Sequence, residues 1–185
     1  MRAAAVSDVL TPDVLGEPAL AFTVDGRPAP QGSKSAVVRK GRVSMFESSK
    51  AVKPWRKAVA LAAVAAVGSG WEPLDGPLVA DVVLTMPRPR ALPKTLRRFP
   101  AVAPDLSKLL RATEDALDTD SGVIANDSRL VAFRRLAEFY VGDPDPDALP
   151  YPGAVIRLWR HPYDGQRLVL AARDATVAGQ RRCAS

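Results

Sequence analysis

Six acids are concentrated in one short stretch of an otherwise basic chain: Asp105, Glu114, Asp115, Asp118, Asp120 and Asp127. Asp105 begins a predicted helix, and Asp127 follows a short predicted strand beyond that helix. A helix followed by a strand that runs back can bring the carboxylates of Asp105 and Asp127 together. Carboxylates are ligands that hold Mg²⁺ or Mn²⁺ in proteins. A metal held beneath a basic surface is typical of phosphodiester hydrolysis, and Lys108 and Arg111 on the same helix could offset charge in the transition state.

The same residues also allow a purely structural interpretation. Asp105, at the start of the helix, could simply be its cap. Asp115 could pair with Arg111, four positions earlier on the helix, and Asp127 could belong to an ordinary turn. The pairing of Asp105 with Asp127 inside a basic frame favours the metal site, but both interpretations stay open.

Composition excludes most histidine and cysteine chemistry. The 185 residues include one histidine, His161, and one cysteine, Cys183. An intrachain disulfide, a cysteine-based zinc site and a two-histidine metal site therefore cannot form within one chain. If the protein uses a metal, carboxylates must hold it, and Mg²⁺ is the expected ion, with Mn²⁺ as the alternative.

Basic residues are segregated along the chain. There are 26 Lys and Arg against 20 Asp and Glu, a net charge of +6. Residues 27–57 hold nine basic residues and one acid, and residues 87–104 hold five basic residues and no acid. This segregation suits binding to a phosphate backbone, although a solvated surface is the alternative. The candidate DNA-binding side chains are Lys34, Arg39, Lys40, Arg42, Lys53, Arg88, Arg90, Arg97, Arg98 and Lys108.

Two aromatic residues, Phe46 and Trp55, lie close to these charges in the sequence. They could stack on bases, but packing in the core is favoured for both. The longest apolar run, residues 58–67, is too short to span a bilayer. No signal peptide is recognisable, so we expect a cytoplasmic protein without a membrane partner.

The pattern of elements predicts an α+β fold in a single domain. Helices are expected over residues 50–67, capped by Ser48 or Ser49, and over 105–117, with a proline-rich loop over 87–104. Strands are expected over residues 20–24, 36–39, 42–46, 77–86, 123–125, 129–141 and 154–159. We expect a mixed β-sheet with helices packed on one face. The domain would span residues 19–161, between a flexible leader (1–18) and a polar basic tail (162–185).

Three motifs carry a resemblance to a known family. The helix begins Pro104-Asp105-Leu106-Ser107-Lys108-Leu109-Leu110-Arg111, Asp115-Ala116-Leu117 follows, and Asn126-Asp127-Ser128 comes after the turn. These motifs resemble the RusA family of Holliday junction resolvases over roughly residues 20–160. The family's pattern is Pro-Asp-Leu-Asp-Asn, a lysine a few residues later, Asp-Ala-Leu, and then an Asp-Asp pair before a strand. The strand leading into Gly26-Arg27-Pro28, with a tryptophan-bearing helix beyond it, is a weaker similarity.

The resemblance implies a RusA-like fold and a homodimeric, Mg²⁺-dependent endonuclease. Such an enzyme binds four-way DNA junctions and nicks two strands symmetrically during recombination and repair. By position, Asp105 matches the first metal-binding aspartate, Asp127 matches the acid of the later pair, and Arg111 stands where the family has its catalytic lysine. The protein would be encoded by a bacterium, a phage or a prophage.

The sequence also departs from the family pattern. Ser107 replaces the second aspartate, and Asn126 replaces the first member of the acidic pair. Both could still ligate a metal through a hydroxyl or an amide oxygen, but each removes a negative charge. Asp115, Asp118 or Asp120 could compensate, whereas Arg111 cannot shuttle a proton as lysine can. The alternatives are a catalytically impaired branched-DNA-binding protein on the same fold, or a nuclease for other branched or flapped DNA.

Overall fold

The computed structural model describes residues 10–32, 34–39, 42–47 and 50–162, with the backbone alone for 34–39 and 42–47. The elements in chain order are α1 (Pro12–Leu15), β1 (Leu20–Asp25), β2 (Lys34–Arg39), β3 (Arg42–Glu47), α2 (Val52–Ala66), β4 (Leu78–Met86), α3 (Leu106–Asp115), β5 (Leu130–Tyr140) and β6 (Gly153–Arg160). A π-helical turn, Ala116–Asp120, continues α3, and a 3₁₀ turn, Asp127–Arg129, precedes β5. No helix in these ranges is long and apolar enough to cross a bilayer.

The main sheet has four strands in the order β1-β6-β4-β5. β6 runs antiparallel to both of its neighbours, whereas β4 and β5 are parallel. A parallel pair needs a long crossover, and here the crossover contains the 87–104 loop and α3. β2 and β3 form a separate antiparallel hairpin. The sheet is therefore mixed, as the sequence predicts.

The core lies between one face of the sheet and the two longer helices. β4 is buried along its whole length, and its alternate residues pack against the helices: Leu78, Ala80, Val82, Leu84 and Met86. Trp55 of α2 is 1% exposed, and its indole donates a hydrogen bond to the Thr113 hydroxyl of α3 at 3.3 Å. Trp55 is thus a core residue, and the predicted packing of helices on one face is confirmed.

The opposite face of the sheet carries a network of ion pairs. Asp81 of β4 is fully buried and pairs with Arg134 of β5 and Arg157 of β6. Arg157 also bonds Asp147 at 2.6 Å, and Arg135 bonds the same carboxylate at 2.6 Å. These pairs join three adjacent strands to the loop that precedes β6.

These ion pairs make the stability of the fold depend on pH. The hydrogen bond from Arg157 holds the pKa of Asp147 below its ordinary value against the opposing effect of burial, and the charges of Arg157, Arg135 and Arg134 lower the pKa further. A carboxyl with a lowered folded pKa stabilises the fold above its unfolded pKa of about 3.9, and this contribution is lost as the pH falls from there towards the folded pKa.

We therefore expect Asp147→Asn to destabilise the protein at neutral pH and to flatten the loss of stability below about pH 4. Urea unfolding between about pH 3 and pH 7 measures this. Asp13→Asn, at an exposed position of α1, is the matched control and should follow the wild-type curve. Equal slopes for the wild type and Asp147→Asn would show that this carboxylate does not link acid to stability.

Two local predictions were wrong. Residues 123–125 form no strand. Ile124 makes a single parallel bridge with Leu74, which itself lies outside any strand, and the 3₁₀ turn that begins at Asp127 ends the extended segment. α2 begins at Val52 after Ala51, so neither predicted serine cap is adjacent to the helix; residues 48 and 49 themselves lie outside the described ranges.

The predicted leader and tail are only partly described. Residues 10–18 include α1, and the Trp159 indole donates to the Gly16 carbonyl at 3.0 Å. This contact holds the end of the leader against β6. Residues 1–9 and 163–185 lie outside the described ranges.

Candidate metal centre and DNA interface

Asp105 occupies the N-cap position of α3 but does not act as a cap. Its backbone is extended, and its side chain accepts no hydrogen bond from the backbone N–H groups of the first turn of α3, all of which lie in the described part of the chain. The carboxylate instead pairs with Lys108 Nζ at 3.2 Å and is 62% exposed. The capping alternative therefore does not account for this carboxylate, which stays open to a ligand.

Asp127 is positioned by the turn between the end of the π-helical segment and β5. The Asn126 side-chain oxygen accepts the Ser128 N–H at 3.0 Å and so caps the 3₁₀ turn. The Asp127 N–H donates to Asp118 Oδ2 at 3.3 Å. Both bonds use groups other than the Asp127 carboxylate, and they fix this exposed residue beside the C-terminal part of the α3 segment.

Glu114 of α3 lies near Asp127 and was not among the predicted site residues. Burial raises its pKa, and the carboxylates of Asp127 and Asp115 raise it further, while Arg111 opposes them. Glu114 is therefore close enough to Asp127 to feel its charge. Helical spacing could have found it, because positions 107, 111 and 114 lie on one face of a helix.

The Asp115 carboxylate is paired with an arginine of α2. Arg56 Nη1 bonds it at 3.2 Å, and the same guanidinium makes two bonds to Asp120, at 2.6 and 2.7 Å. The structure pairs Asp115 with Arg56 rather than with Arg111, the partner that helical spacing allowed. A metal-ligand role for Asp115 would require the Arg56 pair to open.

Asp105 lies at the N-terminal end of α3, whereas Asp127 lies beside the C-terminal part of that segment, next to Asp118 and Glu114. Within the described residues, no three side chains of His, Cys, Asp or Glu converge in a geometry that could hold a metal. Ser107 and Arg111 are both exposed on α3. Mg²⁺ commonly binds one or two carboxylates and completes its shell with water and substrate phosphate, so Asp105 and Asp127, with the Ser107 hydroxyl and the Asn126 amide, have the chemistry that this ion needs.

The predicted DNA-binding residues fall into two groups where their side chains are described. Lys53, Arg90 and Arg98 are exposed and remain candidates for phosphate contacts. Arg88, Arg97 and Lys108 make contacts within the protein. The side chains of Lys34, Arg39, Lys40 and Arg42 lie outside the described part of the chain.

Two arginines of the 87–104 loop fix the loop itself. The Arg88 guanidinium donates to the carbonyls of Pro93 and Leu96, at 2.6 and 2.5 Å. Arg97 makes two bonds to Asp143, both 3.1 Å, and its guanidinium lies 5.2 Å from the centre of the Phe99 ring. These two clamps give the loop a defined shape, so its exposed arginines are carried on an ordered segment.

The basic segments meet at the start of α3. The Gln31 N–H donates to the Lys108 carbonyl at 2.9 Å, which docks the loop after β1 onto the helix. Arg27 and Pro104 line the same small cavity. Two cations therefore lie close to the position where Asp105 is exposed: Lys108, which pairs with it, and Arg27, which shares a cavity with the residue before it.

Comparisons with known proteins cover this whole region. The family profile described as "Endodeoxyribonuclease RusA" matches residues 25–145. A Bacillus subtilis (strain 168) protein described as "Uncharacterized protein YqaN" is 27% identical over 135 residues, which cover 66% of this chain and 89% of that protein. The profile match includes both basic loops, both longer helices and the turn that carries Asp127.

Proposed function

Because this chain belongs to the RusA family of endodeoxyribonucleases, we propose that it resolves four-way DNA junctions by hydrolysing one phosphodiester bond in each of two strands. The observation that best supports this activity is the exposed Asp105 carboxylate, which is not used as a helix cap and lies where two basic loops meet. A homodimer would place two such sites across a twofold junction.

Mg²⁺ would be held by Asp105 and Asp127, with Ser107 and Asn126 as neutral oxygen ligands. When bound, the ion activates a water and stabilises charge on the phosphate oxygens. The protein's own side chains supply the other interactions with the DNA. Arg111 offsets negative charge beside Glu114 and the phosphate, and the exposed Arg90 and Arg98 bind the DNA backbone by charge and shape rather than by base sequence.

The chain's substitutions favour one alternative, a protein that binds branched DNA but cuts it poorly. Ser107 carries no charge, and the Asn126 oxygen is already used to cap the turn at Ser128. A metal would therefore meet fewer negative ligands than the family pattern provides.

A labelled four-way junction separates the two functions. We expect nicks in opposed strands with Mg²⁺ or Mn²⁺ and none with a chelator, while binding persists in both conditions. Linear duplex and flapped DNA are the control substrates and should be cut more slowly. Tight binding with no cutting in either metal would favour the binding protein, and cutting of flaps in preference to junctions would favour a different branched substrate.

Variants of Ser107 and Asn126, the two positions that depart from the family pattern, extend the nicking experiment. Asn126→Asp keeps a good N-cap residue, so the turn should persist, and Ser107→Asp lies on an exposed helical position. If the missing charges limit metal binding, the double variant should need less Mg²⁺ for half-maximal nicking. An unchanged or higher requirement would show that these two positions do not limit metal binding.

A further inference from the structure

A two-part cavity lies between the 87–104 loop and the C-terminal ends of β4 and β5. The larger chamber, about 600 Å³, is lined mainly by apolar residues of the loop and by Tyr140. The smaller chamber, about 130 Å³, shares Pro89, Val102 and Tyr140 with it and extends to Pro104, the residue before Asp105. The size and the apolar lining are those of a ligand pocket, and the pocket adjoins the proposed site of hydrolysis.

The wall of this cavity is fixed before any ligand arrives. The Arg88 and Arg97 clamps hold the loop, and the Phe99 ring packs against Phe139 of β5 with 5.8 Å between ring centres. Phe99 nevertheless remains 54% exposed, and Val102 is 67% exposed. A preformed pocket with an accessible aromatic ring loses little freedom when a flat ligand binds.

Glu138 of β5 lines the smaller chamber, and one of its carboxylate oxygens lacks a hydrogen-bond partner among the residues that the structure describes. Its Oε2 atom is buried and has no hydrogen-bond partner in the described part of the chain. Burial also raises the pKa of Glu138, and a carboxyl group accepts hydrogen bonds and, when protonated, donates one as well. A ligand with a donor and an acceptor on one edge would satisfy this group.

Two arginines that line the pocket indicate that the ligand carries negative charge. Arg27 lines the smaller chamber and Arg98 lines the larger one. The pocket thus combines apolar walls, an accessible aromatic ring, a hydrogen-bonding side chain inside and positive charge in each chamber. A flat heterocycle attached to a phosphate chain matches all four features.

We propose that this cavity takes up an unpaired nucleobase of the branched DNA, with the base edge meeting Glu138. The inference rests on the proposed function, because the base would belong to the DNA whose phosphate lies near Asp105. A base at a branch point that already lacks a pairing partner is the easiest to remove from its stack. The pocket would then favour junctions that present such a base.

Binding without metal tests this directly. One junction carries an unpaired 2-aminopurine at the branch point, and a second is fully paired. We expect the unpaired junction to bind about 10-fold more tightly, which is within the range of one base stacked on an aromatic ring. The fluorescence of its 2-aminopurine should change on binding.

Substitutions at Glu138 assign the effect to the pocket. Glu138→Met should lower the preference for the unpaired junction severalfold, the value of one hydrogen bond, without weakening binding of the paired one, and Glu138→Gln, which keeps a donor and an acceptor, should retain it. Glu17→Met, at an exposed position, is the matched control. Thermal unfolding of each variant checks that the fold is intact.

The outcomes separate this inference from the proposed function. Junctions that are bound and nicked with no preference for the unpaired base, and with the same behaviour in Glu138→Met, would overturn the pocket assignment and leave the nuclease intact. Absence of both junction binding and nicking would overturn the proposed function and the pocket assignment with it.

Discussion

Asp127→Asn should slow nicking of a four-way junction by about 100-fold or more while leaving junction affinity close to that of the wild type. The substitution keeps the side-chain volume and leaves the Asp127 N–H free to bond Asp118. It removes one of the two negative charges proposed to hold the metal. Metal-assisted hydrolysis derives several kcal/mol from the bound ion, and about 1.4 kcal/mol corresponds to a tenfold change in rate.

The measurement is single-turnover nicking of a labelled junction with the protein in excess, together with junction binding in a chelator. Asp105→Asn should show the same loss, since its carboxylate is proposed to bind the same ion. Asp13→Asn is the matched control and should nick at the wild-type rate. A variant of Asp105 or Asp127 that nicks within a fewfold of wild type would remove that residue from the metal site.

The exposure of Arg111 could be predicted from the sequence, whereas the neighbours of Glu114 could not. Helical spacing placed Arg111 on the polar face of α3, and the structure confirms that it is exposed there. The position of Glu114 relative to Asp127 depends on the π-helical turn and the 3₁₀ turn that follow α3. Those turns arise from tertiary packing, so the sequence offered six acids without showing which of them are neighbours.

The fold was predictable where local patterns dominate. Leucines at helical spacing located α3, and five prolines marked the 87–104 loop. The strand order was not predictable, because β1 pairs with β6 from the other end of the domain. The apolar run Val123-Ile124-Ala125 is typical of a strand by composition, but strand formation depends on a partner, and Leu74 provides only one bridge.

Charge pairing was the least predictable part of the structure. Arg56 lies in a strongly basic segment of the sequence, yet its guanidinium pairs with Asp115 and Asp120. Arg88 and Arg97 shape a loop whose charge suggested DNA contact alone. Partners of this kind are distant in sequence, and only the packed structure shows which cations remain exposed for a phosphate backbone.

Asp81→Ala should lower the free energy of unfolding by about 3 kcal/mol. Asp81 is fully buried between Arg134 and Arg157, and removing one partner of a buried pair leaves the other charges uncompensated, at a cost of about 3–5 kcal/mol. The lower end applies because the arginine side chains are 25% and 29% exposed and can recover part of their hydration.

Urea unfolding at neutral pH measures the loss, and the melting temperature should fall by roughly 6–12 °C for a chain of this size. Asp25→Ala, at an exposed position of β1, is the matched control and should change stability by less than about 0.5 kcal/mol. A loss below about 1 kcal/mol for Asp81→Ala would be the value of an exposed ion pair. It would mean that water reaches Asp81, and the second face of the sheet would then be held by its apolar contacts around Val83 and Val155 rather than by the arginines.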